Sequence, residues 1–402
     1  MFSEAMIWAV EDINARTDVL PNITIGYEIR DGCSTEDISL WSSLSYFTDT
    51  CDISPQDRDA VNLVALVSAA ASVTTVWMSK VANLFHIPLL SATSTSDELS
   101  DIVRFPYFFR TVPPDRLQVA VIIDILLKFN WKYIALINSA DTYGLHGGRQ
   151  VKAAAEKTGI CIAMSATIQP YAPKDEVEDA VDRLLKFPKA KVVVMFSLSG
   201  VASSILSTIN KRNLALNLTW IGSDGWGTEF GEVATITTGS IFIRPFIFYF
   251  PTPAFAADFA SRDPGIFSGT PWYHDYWQQW KASQGCSNIT QCPMYPVSGA
   301  PVINAVYAVA HALHSFYTDS CRRGPCISPK SITGPMLKQY LLNVSFNGPD
   351  GVFEFDQHGD TFGTYQRTMS TWTHNDTFRR EMLLWMPSMP KKCHRRKRKY
   401  QM

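Results

Sequence analysis

The chain of 402 residues carries 36 basic and 37 acidic residues, a formal net charge of -1, and is 46% hydrophobic with 11 Trp and 23 Phe. That apolar content fills a packed core, and the length suits two lobes better than one. The balanced charge gives no electrostatic case for a nucleic-acid partner, and no apolar run reaches the roughly 18 residues of a membrane-spanning helix.

The opening MFSEAMIWAVEDINAR carries Glu4, Glu11 and Asp12 and lacks the basic flank and apolar centre of a signal peptide. It is expected to form an amphipathic helix with Phe2, Met6, Ala9, Val10 and Ile13 on one face. An earlier strand is expected to be missing ahead of it. Next come a strand at Ile23–Ile29, a helix at Glu36–Phe47, a strand at Val61–Val67, a helix at Val73–Phe85 and a strand at Ile87–Leu90. A second block opens on a helix at Arg116–Phe129, where Leu117, Ala120, Val121, Ile123 and Leu127 recur at helical spacing. The strand Tyr133–Asn138, a helix at Gly147–Lys157 and a strand at Ile160–Ala166 follow. KVVVMF (Lys191–Phe196) is a continuous apolar run typical of a parallel strand buried on both faces. The helix Val201–Arg212 and the strand Leu218–Gly222 close the block. Beyond Ser240–Phe250 lie a Trp- and Tyr-rich stretch (Trp272–Trp280), a strong helix at Val302–Tyr317 and a strand at Gly351–Phe355.

Such alternation means an α/β fold with parallel sheets flanked by helices. Ligands of such sheets bind beyond the carboxyl ends of the strands. The loops gathered there are Ser68–Ser72, Ser91–Ser100, Ser139–Gly148, Ser197–Gly200 and Ser223–Gly227. Two lobes joined by several crossing segments is the hinge design of periplasmic binding proteins. The final KKCHRRKRK is a basic run, expected to be a solvated end.

Cysteine usage points to an oxidising compartment. Cys286/Cys292 and Cys321/Cys326 are close pairs in polar loops, each placed to close a small disulfide loop. Zinc is the rival for four cysteines, but the pairs lack CxxC spacing. The sequons at Asn22, Asn217, Asn288, Asn343 and Asn375 fit a glycosylated, secreted surface. GxSxG, GxxxxGK[ST], HExxH and GxGxxG are all absent, so neither an enzyme nor a cofactor is expected. His311 and His314, at i and i+3, read as an ordinary helical pair rather than metal ligands, and no metal is expected.

The most informative stretch is SATSTSDELSDIVRFPYFFRTVPPD (Ser91–Asp115). Hydroxyls at Thr93, Ser94, Thr95 and Ser96 follow a strand, near a helix that opens at Ser72, and an acid arrives at Asp115. Hydroxyls and helix-start N–H groups suit the carboxylate of an α-amino acid, and a carboxylate suits its ammonium.

This stretch closely resembles the ligand-binding region of class C G-protein-coupled receptors, the metabotropic glutamate receptor family above all. LPNITIGYEIRDGC (20–33), FNWKYIALINSADTYG (129–144), GICIA (159–163), IGSDGW (221–226) and VINAVYAVAHAL (302–313) extend the resemblance in order through nearly the whole chain. It implies a two-lobed Venus flytrap that closes on an amino acid and signals as a homodimer, or as a heterodimer with a related receptor. The implied lobes are 1–110 with 246–365, and 111–245 with 366–385. Residues 386–402 would form a basic tail where a cysteine-rich domain begins. A transmembrane domain outside this chain would reach the G protein and place the module on the extracellular face of the plasma membrane. The rival is a free-standing soluble amino-acid-binding protein.

Residue by residue, the resemblance assigns the ligand carboxylate to Ser72 and Thr95, with Ser72 expected as a helix N-cap. The ammonium goes to the Thr93 carbonyl, Asp115, Tyr143 and Asp224. Glutamate-sensing members carry a lysine where Ser298 or a near neighbour in VSGAPVINA stands, and that stretch holds no Lys or Arg. The family's other side-chain cation would precede residue 1. Leu198 replaces a usual acid, which implies a more apolar pocket. A distal carboxylate buried without a cation is poorly compensated. A neutral amino acid is therefore expected over glutamate; a glutamate receptor proper is the alternative. The resemblance also implies an intersubunit disulfide at Cys51, a partner for Cys33 in a missing N-terminal part, a bond from Cys161 to a following cysteine-rich domain, and Cys393 as the first cysteine of that domain.

Overall fold

The structure is a computed structural model that describes residues 2–48, 63–214, 216–226, 236–249, 252–261, 278–279, 282, 299–323, 326, 331–363, 365–371 and 379–385. In chain order the elements are α1 (Phe2–Ala15), α2 (Glu36–Thr48), β1 (Leu66–Ser68), α3 (Ser72–Phe85), β2 (Leu89–Ser91), β3 (Phe108–Arg110), α4 (Asp115–Lys128), β4 (Tyr133–Ser139) and α5 (Thr142–Thr158). Then come β5 (Cys161–Ile168), α6 (Lys174–Leu185), β6 (Val192–Phe196), α7 (Ser199–Lys211), β7 (Thr219–Gly222), β8 (Ile241–Pro245) and α8 (Pro253–Ser261). Last are α9 (Gly299–Arg323), α10 (Gly334–Leu341), β9 (Ser345–Gly348), β10 (Gly351–Glu354), β11 (Tyr365–Thr371) and β12 (Arg379–Trp385). The chain divides into two compact units. One comprises Met1–Asp115, Ala140–Gly147 and Pro245–Gly363; the other comprises Arg116–Ser139, Gly148–Arg244 and the strands beyond Thr364.

In the first unit β1, β2 and β3 form a parallel sheet, with Leu66 opposite Leu89 and Leu89 opposite Phe108. β9 and β10 make a separate antiparallel hairpin. The core gathers Ala5, Ala9 and Ile13 of α1 against α9, whose small Ala305, Ala308 and Ala312 let the two helices approach. No strand forms at Ile23–Ile29. The Asn14 carboxamide instead takes both backbone groups of Ile25, donating to its carbonyl (2.8 Å) and accepting from its N–H (2.9 Å). A side chain thus satisfies the backbone that a neighbouring strand would otherwise have paired.

In the second unit seven strands run in the order β12-β11-β8-β7-β6-β4-β5, parallel from β8 through β5 and antiparallel between β11 and β12. All of Val192–Phe196 is buried, as its unbroken apolar run requires. One face packs against α6 and α7 through Val177, Val181, Leu184, Val201, Ile205 and Ile209. α6 lies beyond the expected set, although its buried Val177, Ala180, Val181 and Leu184 keep perfect i, i+3, i+4, i+7 spacing. α5 begins five residues ahead of the expected Gly147, because Asp141 Oδ1 accepts the Gly144 N–H (3.0 Å) and caps an earlier start.

The α1–α9 contact carries a titratable group. Tyr307 donates to Asp12 Oδ2 (2.5 Å), the Leu20 N–H donates to His314 Nδ1 (3.1 Å), and His311 stacks on Phe346 with rings 4.9 Å apart. Burial holds the His311 imidazole below its ordinary pKa; the Arg16 and His314 charges add to that effect and Asp18 opposes it. The unfolded chain therefore binds the extra proton first, below about pH 6.5, so His311 makes stability fall as pH drops through that range. We expect His311→Gln to flatten the decline in denaturant midpoint between about pH 7 and pH 5.

Candidate functional site

In the first unit, β1 and β2 end side by side, and the loops after them interlock. Thr93 Oγ1 (2.6 Å) and Ser94 Oγ (2.8 Å) both donate to the Ala70 carbonyl, and Ser94 Oγ lies 2.8 Å from Thr75 Oγ1, within hydrogen-bond distance. Ser72, nearly fully buried, accepts the Ser96 N–H at 3.2 Å. Its oxygen is thereby engaged while its hydroxyl hydrogen still has to be donated. Ser72 is not the helix N-cap the sequence led us to expect. It is the first helical residue, and the cap is Ala71 in extended geometry (φ -63, ψ 157) with no side chain to offer. The N–H groups of the first turn of α3 are thus left uncapped by any side chain, which is the condition for an anion site at a helix start.

Thr95 is buried, and its carbonyl accepts the Asp115 N–H at 2.8 Å, which seats Asp115, wholly buried, at the first turn of α4 beside the hydroxyl loop. Tyr143 is likewise buried, at the second position of α5, in the Ala140–Gly147 segment that packs with the first unit. His146 Nε2, one turn further on, lies 3.1 Å from Glu98 Oε2, in the short turn after the hydroxyl loop. Ser72, Thr93, Thr95, Asp115 and Tyr143 thus all belong to one unit.

Beneath the loop lies a group that motif reading missed. Arg110, at the end of β3, is fully buried and pairs with Asp360 at 2.6 Å. Its Nη1 donates to the carbonyls of Ser96 (2.9 Å) and Ser94 (3.3 Å), and its Nη2 donates to Ser100 Oγ. Ser100 Oγ in turn donates to Asp360 Oδ2 at 2.8 Å. The signal lay within RTVPPD, but its acidic partner is 250 residues away in sequence.

In the second unit Asp224 opens a short turn after β7. Gln118 of α4 donates to its Oδ1 (2.7 Å) and accepts its N–H (3.2 Å). The phrase IGSDGW has a packing reason: a Cβ on Gly222 would lie 1.7 Å from the Trp226 ring, which packs on Trp220 and Phe242. Leu198, half-buried, is the N-cap of α7 and makes no side-chain cap bond. Ser298 lies outside the described residues.

Cys321 and Cys326 form a disulfide. Cys286, Cys292, Cys51, Cys393, Asn288 and Asn375 lie outside the described residues. Asn22, Asn217 and Asn343 are exposed, and Cys33 and Cys161 are exposed free thiols. Among the described residues no His, Cys, Asp and Glu cluster is suited to a metal, and no helix is long and apolar enough to cross a membrane.

A parallel α/β fold with hydroxyls, an uncapped helix start and buried acids at its strand ends is the build of a small-molecule binding module. Residues 2–368 match the receptor family ligand binding region, and the chain belongs to that family. It is similar to metabotropic glutamate receptor 8 of Homo sapiens, at 31% identity over 397 residues, covering 90% of this chain and 44% of the receptor. The receptors of that name from Rattus norvegicus and Mus musculus match at 30% identity with the same coverage. The chain spans less than half the length of these relatives, and they are receptors, not enzymes. It is a ligand-binding region of the class C receptor type.

Two substitutions check the site's framework. Asp360→Asn leaves the Arg110 charge buried and unpaired and is expected to cost about 3–5 kcal/mol in denaturant unfolding, more than replacing both partners by apolar residues. Gly222→Ala forces Trp226 out of place and is expected to cost about 1–3 kcal/mol, read in the same way.

Proposed function

We propose that the chain is the ligand-sensing region of a class C receptor and that it binds a neutral L-α-amino acid. One observation carries this reading: the uncapped start of α3, with Ser72 and the hydroxyl loop, stands one backbone hydrogen bond from buried Asp115. Partners for an ammonium and a carboxylate are thus held on neighbouring turns of chain. Ser72 and Thr95 take the carboxylate; the Thr93 carbonyl, Asp115 and Tyr143 take the ammonium. Asp224 joins them when the two units close on the ligand. Closure then stabilises the bound form through its differential affinity, and a homo- or heterodimer passes it on to a G protein.

The preference against glutamate follows from charge. Leu198 and Ser298 stand where charged side chains serve the glutamate-type receptors, and a distal carboxylate desolvated without a cation is poorly compensated. The exposed sequons and the disulfide favour display outside the cell.

A thermal-shift panel of the twenty L-amino acids on secreted protein tests the proposal. Neutral amino acids are expected to stabilise the wild type, with binding about tenfold or more weaker in Ser72→Ala and Asp224→Ala, each of which removes a hydrogen bond to a charged group. Ser298→Lys is expected to shift preference toward glutamate. Glutamate as the tightest ligand of the wild type would refute the neutral preference; no stabilisation of folded protein by any amino acid would refute the function.

A further inference from the structure

Two serine hydroxyls in the second unit are wholly buried and lack a hydrogen-bond partner: Ser139, the last residue of β4, and Ser197, just past β6. β4 and β6 are parallel neighbours, and their last registered pair is Asn138 with Phe196, so Ser139 and Ser197 come next on each strand. Alternation along the strands puts Ser139 on the face of Ala135 and Ile137, and Ser197 on the face of Val193 and Met195. All four of those residues belong to the core packed under α6 and α7, so both hydroxyls share that face. With neighbouring strands about 5 Å apart, the two residues are lateral neighbours on that face, and neither hydroxyl bonds the other.

α7 starts immediately beyond Ser197. Its N-cap, Leu198, makes no side-chain cap bond, and Ser199 and Gly200 are exposed. A Cβ at Gly200 would meet only the Pro170 carbonyl, at 3.9 Å, so the approach to this helix start is open. The Ser197 N–H is committed elsewhere, donating to Ser223 Oγ at 3.2 Å, which fixes the loop. An uncapped helix start therefore adjoins two buried hydroxyls with nothing to bond. Buried polar groups in folded proteins are nearly always paired, and α/β sheets bind ligands at these strand ends.

We propose that Ser139, Ser197 and the first turn of α7 form a subsite for a neutral oxygen acceptor: the carboxamide or hydroxyl on the side chain of the bound amino acid. The assignment rests on the amino-acid function proposed above and narrows it from neutral to polar neutral. Hydroxyls and first-turn N–H groups donate to oxygen. A helix start supplies only about half a charge, which serves a carboxamide or hydroxyl and compensates a carboxylate poorly. The Leu198 side chain leaves the helix end to the ligand, whereas an Asp or Asn there would occupy it.

Calorimetric titration of the secreted full chain with glutamine, serine and alanine tests this, using wild type, Ser139→Ala, Ser197→Ala, the double variant and Leu198→Asn. We expect glutamine or serine to bind wild type more tightly than alanine. The double variant should lose about tenfold for the polar ligand, with alanine unchanged. Leu198→Asn should raise the melting temperature and weaken the polar ligand selectively. If all three ligands weaken equally, or selectivity survives in the double variant, the hydroxyls hold only water or serve folding, and the subsite is refuted while the amino-acid function stands. If folded wild type binds none of the three nor any other amino acid, both fail together. The single variants give the same reading should the double variant not fold.

Discussion

The buried pair of Arg110 and Asp360 is the constraint on which the first unit's binding loops depend. A guanidinium with no exposed surface is tolerable only if its donors are used, and here they reach a carboxylate, two carbonyls and a hydroxyl. The two carbonyls belong to Ser94 and Ser96, in the loop that carries Thr93 and Thr95. The charge is therefore satisfied only when that loop is in place. Asp360 is fixed in turn, because its N–H donates to Asp356 Oδ1 (3.0 Å) and its carbonyl accepts the Asp356 N–H (2.8 Å). The pair costs desolvation that a hydrophobic pair would avoid, and the return is loop position rather than net stability.

A second regularity runs through both units: which helix starts are capped and which are not. Asp141 caps α5, and Ser96 caps the short turn at Asp97–Ser100 through the Glu98 N–H. α3 and α7 are capped by Ala71 and Leu198, whose side chains cannot accept a hydrogen bond. Pro173 of α6 and Thr333 of α10 likewise make no side-chain cap bond, so a bare start is no mark of a site by itself; α3 and α7 stand out because their starts also adjoin buried hydroxyls. A capping serine at either place would stabilise the helix start and occupy the N–H groups that the proposed ligand needs.

Where the sequence carries strong periodicity, it was legible. KVVVMF forms the buried strand β6, and the run after Ser72 forms α3, because burial on both faces and a single amphipathic face leave few alternatives. The expected strand at Ile23–Ile29 failed because Asn14 satisfies the Ile25 backbone, a contact no local pattern reveals. The hydroxyls and Asp115 could be read together from one motif, and the Asp115 N–H does donate to the Thr95 carbonyl. The role of Arg110 did not, since its meaning lies in a partner 250 residues on. Gln118, which holds Asp224 from a different element, and the neighbouring Ser139 and Ser197 were hidden for the same reason. Each looks ordinary until strand register and helix packing supply its neighbour.

Family membership and ligand choice rest on different residues. Residues 2–368 match the family model and 31% identity spans 90% of the chain, so membership rests on the length of the match rather than on any one site residue. The proposed ligand preference rests instead on two positions, Leu198 and Ser298, where the sequence offers no charge. Removing a buried countercharge leaves the scaffold's packing untouched and changes which ligand can be desolvated at tolerable cost. On that proposal a neutral ligand suits this chain, and the buried hydroxyls of Ser139 and Ser197, which have no bond of their own, are the donors proposed for it.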